Sequence, residues 1–514
     1  MFSATAFASV TLWAQWTTLG LSALAFLFLF IPLGGGRHQL RPKKTFFLLL
    51  KFPLFWLGLL LLLLMLCHGL NTSRFVQDRD LWWRVFSRPP ESYIHWLPAG
   101  LEAPFVGDDK LSGMNAFRQM IIFASPWLLL CALWAGIRHR RVLAGMGWII
   151  MLGALGLGAW GVQMRMAGVE QLNEKYNVLN TSFFATFLYQ NHAGAWLSLQ
   201  VALASALAFW HWSNARRSQS KFRVQGGPHW FCAVIAICLA FGSICTLSFG
   251  SMLTSGIVLF IVVPVAIIWS LIRSGAGRGT ITGATMAAVM IAAVAGWISQ
   301  TQDLSKIESK FNRKVQLFKE EKWDNRALLR KATMQMIEGR HEHYFWTGRG
   351  AGSYRWESPP FFRKVLKREE RAFYAHCDWL QMLVEWGIVG ISIVAAAAIW
   401  MLLWLLRNIR YWTPVLLVFA SAILLFVGHA SMDFLSYSVP LLCLLAFFVV
   451  SMVKLGLSRS FQMKLQQKEA EIQNLKNLRQ HGSRRTRSSH QGRRSYAARG
   501  SMPSGYVSTR STCQ

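Results

Sequence analysis

Acidic charge is what this chain has least of: 23 Asp and Glu stand against 54 Lys and Arg in 514 residues, for a formal net charge of +31. Charged residues of both signs reach 15%, against roughly 25% in an ordinary soluble domain. Hydrophobic residues make up 53%, more apolar surface than a soluble fold of this polarity can cover. Cysteine is sparse and badly spaced for staples. Cys67, Cys131, Cys232, Cys238, Cys245 and Cys443 fall in or at the ends of apolar runs, Cys377 and Cys513 outside them. No CxxC pair occurs, so neither a disulfide framework nor a thiolate metal site is legible. No cleavable signal peptide is expected either. The first apolar run, from about Ala8 to Leu33, has no basic segment before it and should stay as a membrane helix.

What is present is a series of apolar stretches of about 20 residues, the length a helix needs to cross a hydrocarbon core of roughly 30 Å. Eleven spans are expected, at about 8 to 32, 46 to 69, 120 to 136, 143 to 163, 193 to 212, 230 to 249, 252 to 272, 280 to 299, 379 to 405, 412 to 429 and 436 to 456. The fold expected is an all-α polytopic membrane protein. Basic residues gather after the odd-numbered spans: Arg37, Arg41, Lys43 and Lys44; Arg138, Arg140 and Arg141; Arg216, Arg217, Lys221 and Arg223; Arg273 and Arg278; Arg407 and Arg410. By the positive-inside rule those loops are cytoplasmic and the N-terminus is outside. Eleven crossings then leave the C-terminus inside, where the Arg-rich tail from about 457 to 514 belongs. That tail reads as disordered and suited to anionic lipid headgroups. Nucleic acid is not the expected partner, since much of the positive charge flanks spans.

Two segments on the outer side are long enough to carry chemistry. The first, about 71 to 119, contains RDLWWRVFSRPPESYIHWLPAG and suits the membrane interface. The second, about 301 to 378, starts as a charged helix, passes through TGRGAGSYRW, and re-enters the membrane at AHCDWLQMLVEWGIVG. Segments of this length are more often functional than passive. At the re-entry His376 is followed by Asp378, and Glu385 lies inside span nine. An ionisable group in a span costs at least about 2.5 kcal/mol, so Glu385 should face a bundle interior or a wet cavity. Seven residues are two helical turns, which sets Asp378 and Glu385 on one face.

The stretch YAHCDWLQMLVEWGIVG resembles the outer-side segment of O-antigen ligases and their polymerase relatives, which looks like HAHND, then LQ, then G-x-x-G. His376 takes the second His, Asp378 the Asp, and Gly387 with Gly390 the glycine pair; Tyr374 stands at the first His and Cys377 at the Asn. Upstream, NRALLRKATMQMIEGRHEHYFWTGRGAGSY resembles the family's Arg-bearing helix and G-x-G-x-G turn, with Arg326, Gly348, Gly350 and Gly352 in those places. YQNHAGAWLSL resembles its Asn-His-x-Ala entry to an earlier span, through Asn191 and His192. One departure stands out. Where relatives often show Ser-Arg-Gly-Gly, this chain reads LSFGSML, so Phe249 replaces the Arg, and Arg165 at the mouth of span four is the candidate to compensate.

The resemblance implies a membrane-embedded, inverting glycosyltransferase without metal ion or other cofactor, in the bacterial inner membrane. Its donor would be an undecaprenyl pyrophosphate-linked glycan and its acceptor a glycan, lipid or protein. His376 would be the general base and Arg326 the leaving-group cation, with Arg349, Asp378, Glu385, Asn191, His192, Arg165 and the turn glycines around the substrate. Arg330 and Arg355 are weaker candidates, for which solvated surface is the preferred reading. Two other classes share the architecture, a lipid or glycan transporter and a non-catalytic scaffold. Transporters usually need several intramembrane charges or broken helices, and Glu385 is nearly alone.

Overall fold

Apolar runs of this length become helices because hydrocarbon offers amides no partner, and a helix pairs them within the segment. The computed structural model describes residues 1–31, 42–79, 82–105, 113–169, 183–217, 227–273, 325–338, 342–366, 372–458 and 467. Among these, nine helices are long and apolar enough to span a membrane, and a tenth apolar helix is shorter. The chain runs α1 (Phe2–Thr5), α2 (Leu12–Leu27), α3 (Pro42–Leu50) and α4 (Pro53–Leu70), then a small sheet, then α5 (Ala116–Gly136), α6 (Arg140–Met166), α7 (Gln190–Arg217), α8 (Pro228–Cys245) and α9 (Phe249–Arg273). Four short helices follow: α10 (Asn325–Glu338), α11 (Glu342–Thr347), α12 (Tyr354–Glu357) and α13 (Pro359–Leu366). The last three are α14 (Asp378–Arg407), α15 (Pro414–Ala430) and α16 (Val439–Ser458). Ten of the eleven expected spans thus have a described helix; the eighth, about 280 to 299, lies outside the described residues. The chain divides into Met1–Gly456 and Leu457–Gln514, and the second unit is described only at Leu457, Ser458 and Gln467.

Helix α7 is the centre of the bundle, with 89% of its apolar window buried, whereas only 11% of the apolar window of α14 is buried. The small residues of α7 (Ala193, Ala195, Ala202, Ala204, Ala206) let its neighbours approach closely. Span two differs from expectation in being divided. Pro53 lacks an amide hydrogen and disfavours helix at the residue before it, so α3 ends at Leu50 and α4 begins with Pro53.

The two ends of the bundle differ in where the acidic residues lie. At one end Arg273 donates to Trp412 O (2.9 Å) and the Arg140 guanidinium lies 5.7 Å from the Trp210 ring. Among the described residues, every Asp and Glu lies at or beyond the other end. We call it the acidic end.

A layer of short elements covers the acidic end. The 71 to 119 segment, expected as interfacial and without sheet, forms three strands in the order β2-β1-β3: β1 (Thr72–Arg79) antiparallel to β2 (Trp82–Ser87) and parallel to β3 (Gly100–Glu102). Phe75 and Phe86 stack across β1 and β2 at 5.6 Å. Asn71, at the foot of the sheet, donates from Nδ2 to Ile94 O (2.9 Å), Leu97 O and Pro98 O (both 3.3 Å), which pins the following loop to the end of α4. Helix α10 shows the i, i+3, i+7 spacing of an amphipathic helix, and its Leu329, Ala332 and Met336 form a second small core with Tyr354, Phe362, Ala375 and Val384.

Helix α14 is broken. Gly387 takes φ +62° and ψ −164°, and the turn of residues 348–352 fills the gap: Arg349 N donates to Val384 O (2.8 Å) and Gly350 N to Glu385 O (3.0 Å). Residues 388–407 remain long enough by themselves to cross a bilayer. Glu385 therefore sits in a short helix at the acidic end, not deep in the span. Gly348, Gly350 and Gly352 all have φ between +75° and +102°. Cβ atoms at 348 and 350 would lie 2.3 Å from Glu385 O and 2.6 Å from Gly100 Cα, so side chains are excluded there.

Candidate active site

Four segments distant in sequence meet at the acidic end. Tyr189 and Asn191 come from the start of α7, Arg326 from the first turn of α10, His376 from the link before α14, and Asp433 from the link between α15 and α16. Asp433 is the hub. Only 1% exposed, its carboxylate accepts from His376 Nδ1 (3.1 Å), Asn191 Nδ2 (2.5 Å), the Tyr189 hydroxyl (3.3 Å) and the Phe434 amide (3.0 Å), with Arg326 Nη2 at 3.4 Å. Burial alone would raise its pKa. The hydrogen bond from His376 and the charge of Arg326 outweigh burial and hold the carboxyl well below the usual carboxylate range.

An ionised Asp433 accepts, so in the neutral imidazole of His376 the proton is on Nδ1 and the lone pair on Nε2. Nε2 has no hydrogen-bond partner among the described residues, and the side chain is 23% exposed. The ring also packs edge-on against Phe434, 5.1 Å between centroids. His376 has φ +51°, a conformation that costs a non-glycine residue about 1 kcal/mol or more and persists only when its surroundings hold it. Arg326 completes the group. Its side chain is 31% exposed and donates to Met432 O (3.2 Å) as well as meeting Asp433. An imidazole with an open lone pair and a guanidinium held on the same carboxylate are the groups that proton removal and stabilisation of a departing anion require.

The other expected site residues divide. Asn191 and His192 belong to the cluster, His192 donating from Nε2 to Phe434 O (3.1 Å). Tyr374, at the family's first His, stacks on Phe434 at 4.1 Å with the rings 4° apart. Asp378, expected around the substrate, does not pair with His376. It is fully buried and its Oδ2 accepts the Ser436 amide at 2.7 Å, because the start of α14 aims it at the Leu435–Tyr437 turn. Glu385 faces the same turn, as the seven-residue spacing requires, through the Tyr437 hydroxyl (3.0 Å).

Arg349 is also placed otherwise than at a pyrophosphate. Nη1 pairs with Glu357 Oε2 (2.9 Å) and Nη2 reaches Met336 O (3.4 Å), while Arg74 from β1 pairs with Glu357 Oε1. The glycine turn is not a phosphate cradle. Its amides at 348, 349, 350 and 351 donate to Tyr344 O, Val384 O, Glu385 O and His68 Nδ1, leaving none of these four for an anion. Arg355 lies over the Phe373 ring at 3.7 Å. Arg165, at the last turn of α6, is close enough for its charge to act on Cys245, four residues before the departed Arg position at Phe249.

Sequence reasoning missed Asp433 and Tyr189. A signal existed for the first: in the ASMDFLSYS link between spans ten and eleven, Asp433 is the one charged residue.

Fold and site together define a polytopic membrane protein with a buried, polar, acid-base cluster at one end. Residues 233–395 match the family model described as O-antigen ligase, so this part of the chain is similar to O-antigen ligase domains. The match takes in Arg326, the glycine turn, His376 and Glu385, and stops short of Asn191 on one side and Asp433 on the other. It supports glycosyl transfer of the ligase or polymerase type, with a lipid-linked glycan as donor in general. No curated protein matches the chain.

Proposed function

We propose that the protein transfers a glycan from an undecaprenyl pyrophosphate carrier to an acceptor hydroxyl on the outer face of the bacterial inner membrane, by inverting displacement without a metal. His376 Nε2 takes the hydroxyl proton. The acceptor oxygen bonds to the anomeric carbon from the face opposite the carrier, and the bond from that carbon to the pyrophosphate oxygen breaks with its electron pair leaving on the pyrophosphate. Asp433 steadies the imidazolium that forms, and Arg326 faces the developing phosphate charge with a planar, permanently charged fork. The observation that carries this reading is the His376–Asp433 pair, which leaves Nε2 of the imidazole open while Arg326 meets the other oxygen of the same carboxylate.

The test is turnover of a lipid pyrophosphate-linked glycan by purified protein in lipid. His376→Ala should lower kcat by about 10²- to 10⁴-fold, the usual contribution of a positioned base, with expression and insertion unchanged. Wild-type turnover in that variant would reduce His376 to a packing residue and remove the mechanism.

A further inference from the structure

Glu385 touches the supports of three site residues without touching the residues themselves. Its Oε1 accepts from Gln381 Nε2 (3.3 Å) and the Tyr354 amide (3.4 Å), and its Oε2 from Gln119 Nε2 (2.6 Å) and the Tyr437 hydroxyl (3.0 Å). Three of these donors each lead to one member of the cluster. Gln381 Oε1 accepts the Ala375 amide (3.0 Å), and Ala375 directly precedes His376 with its left-handed backbone. Tyr437 closes the Leu435–Tyr437 turn that follows Asp433 and Phe434. Tyr354 meets Thr333 Oγ1 through its hydroxyl (2.8 Å), in the helix whose first turn holds Arg326. The fourth donor, Gln119, anchors the carboxylate to α5 and also takes Trp386 Nε1 (3.1 Å).

We infer that Glu385 is a positioning residue, one buried carboxylate that fixes His376, Asp433 and Arg326 relative to one another. The inference rests on the proposed transfer reaction for its kinetic meaning. The residue type follows from the donor count. Two carboxylate oxygens offer about four acceptor sites, and four donors converge here; a glutamine would turn an NH₂ toward donors, and an aspartate is one carbon short. Glycan, carrier and acceptor have no place in this role, so Glu385 is assigned to the support of the site and not to substrate contact.

The experiment uses the full chain in lipid nanodiscs and reads two quantities. The first is transfer from an undecaprenyl pyrophosphate-linked glycan by Glu385→Gln and Glu385→Ala, each alone and combined with His376→Ala. Glu385→Ala should lose about tenfold or more in kcat with KM within about twofold, Glu385→Gln should fall between, and either change should cost less than about twofold once His376 is gone, because residues acting as a unit are non-additive. The second is carbethoxylation of His376 by diethyl pyrocarbonate, followed by mass spectrometry, with exposed His95 as reference. Its rate should change about threefold or more in Glu385→Ala and, less strongly, in Tyr437→Phe, with His95 constant. Multiplying losses in the double variants, or an unchanged His376 rate in folded Glu385→Ala, overturns the inference. Absence of transfer by the wild type refutes the proposed reaction instead, while the His376 modification rate still decides the positioning role. If Glu385→Ala does not fold, Glu385→Gln and Tyr437→Phe carry both readouts.

Discussion

At the scale of single residues, the chemistry turns on which imidazole nitrogen is left open. Asp433 accepts the Nδ1 proton of His376, and its environment keeps it ionised far into acid. Asp433→Asn keeps the size but offers an NH₂ group that favours the opposite tautomer. We expect kcat to fall by about 10²- to 10⁴-fold with KM little changed; steady-state kinetics returning a normal kcat would show that the tautomer is set elsewhere. In the proposed reaction Arg326 faces the leaving group. Transfer should persist in excess EDTA, Arg326→Lys should be impaired, and Arg326→Ala worse by a further step, since a single preorganised donor contributes about 2.7 to 4 kcal/mol. The chain does contain an Asp-x-Asp, Asp78-Arg79-Asp80, whose side chains lie outside the described residues. Loss with EDTA and recovery with magnesium would favour those acids over Arg326.

At the scale of elements, the break in α14 organises the acidic end. Gly387 frees two carbonyls, and the glycine turn supplies the amides that satisfy them. Gly348→Ala puts a Cβ at φ +79° and 2.3 Å from Glu385 O. Strain of this kind costs about 1 to 3 kcal/mol, so thermal unfolding in nanodiscs should begin several degrees lower, with transfer falling alongside; an unshifted midpoint would mean the turn is not locked to the helix. The glycines were legible in sequence as a turn, but their use was not. A G-x-G-x-G pattern records backbone freedom, and whether that freedom serves an anion or a neighbouring helix depends on what packs against it. The small sheet escaped for a related reason. Its parallel β1–β3 pairing joins residues across an intervening loop, held by Asn71 hydrogen bonds that no local periodicity reports.

At the scale of the whole molecule, the described Asp and Glu all lie at one end of the bundle, and the other end, flanked by Arg and Lys alone, should be cytoplasmic. A cysteine at Glu91 should react with a membrane-impermeant thiol reagent in intact spheroplasts, and one at Arg410 only after lysis. The reverse pattern would place the His376 cluster in the cytoplasm and end the case for an outer-face reaction. Arg273 at the basic end contacts a neighbouring element of the bundle, so its side chain adds packing as well as orientation.

Span positions, the basic flanks, the candidacy of His376 and Arg326 and the likeness to O-antigen ligases were legible in the sequence alone, because hydrocarbon thickness, loop charge and short motifs act through residues near one another in the chain. The partner of His376 was decided only in three dimensions. Asp433 lies 57 residues beyond it (433 − 376), across two helices, and reaches it because the start of α14 meets the link after α15, where Trp379 Nε1 also donates to Ser431 Oγ. The same packing sent Asp378 to the Ser436 amide and Arg349 to Glu357. A side chain's neighbours across a bundle follow from helix contacts, which sequence spacing does not encode.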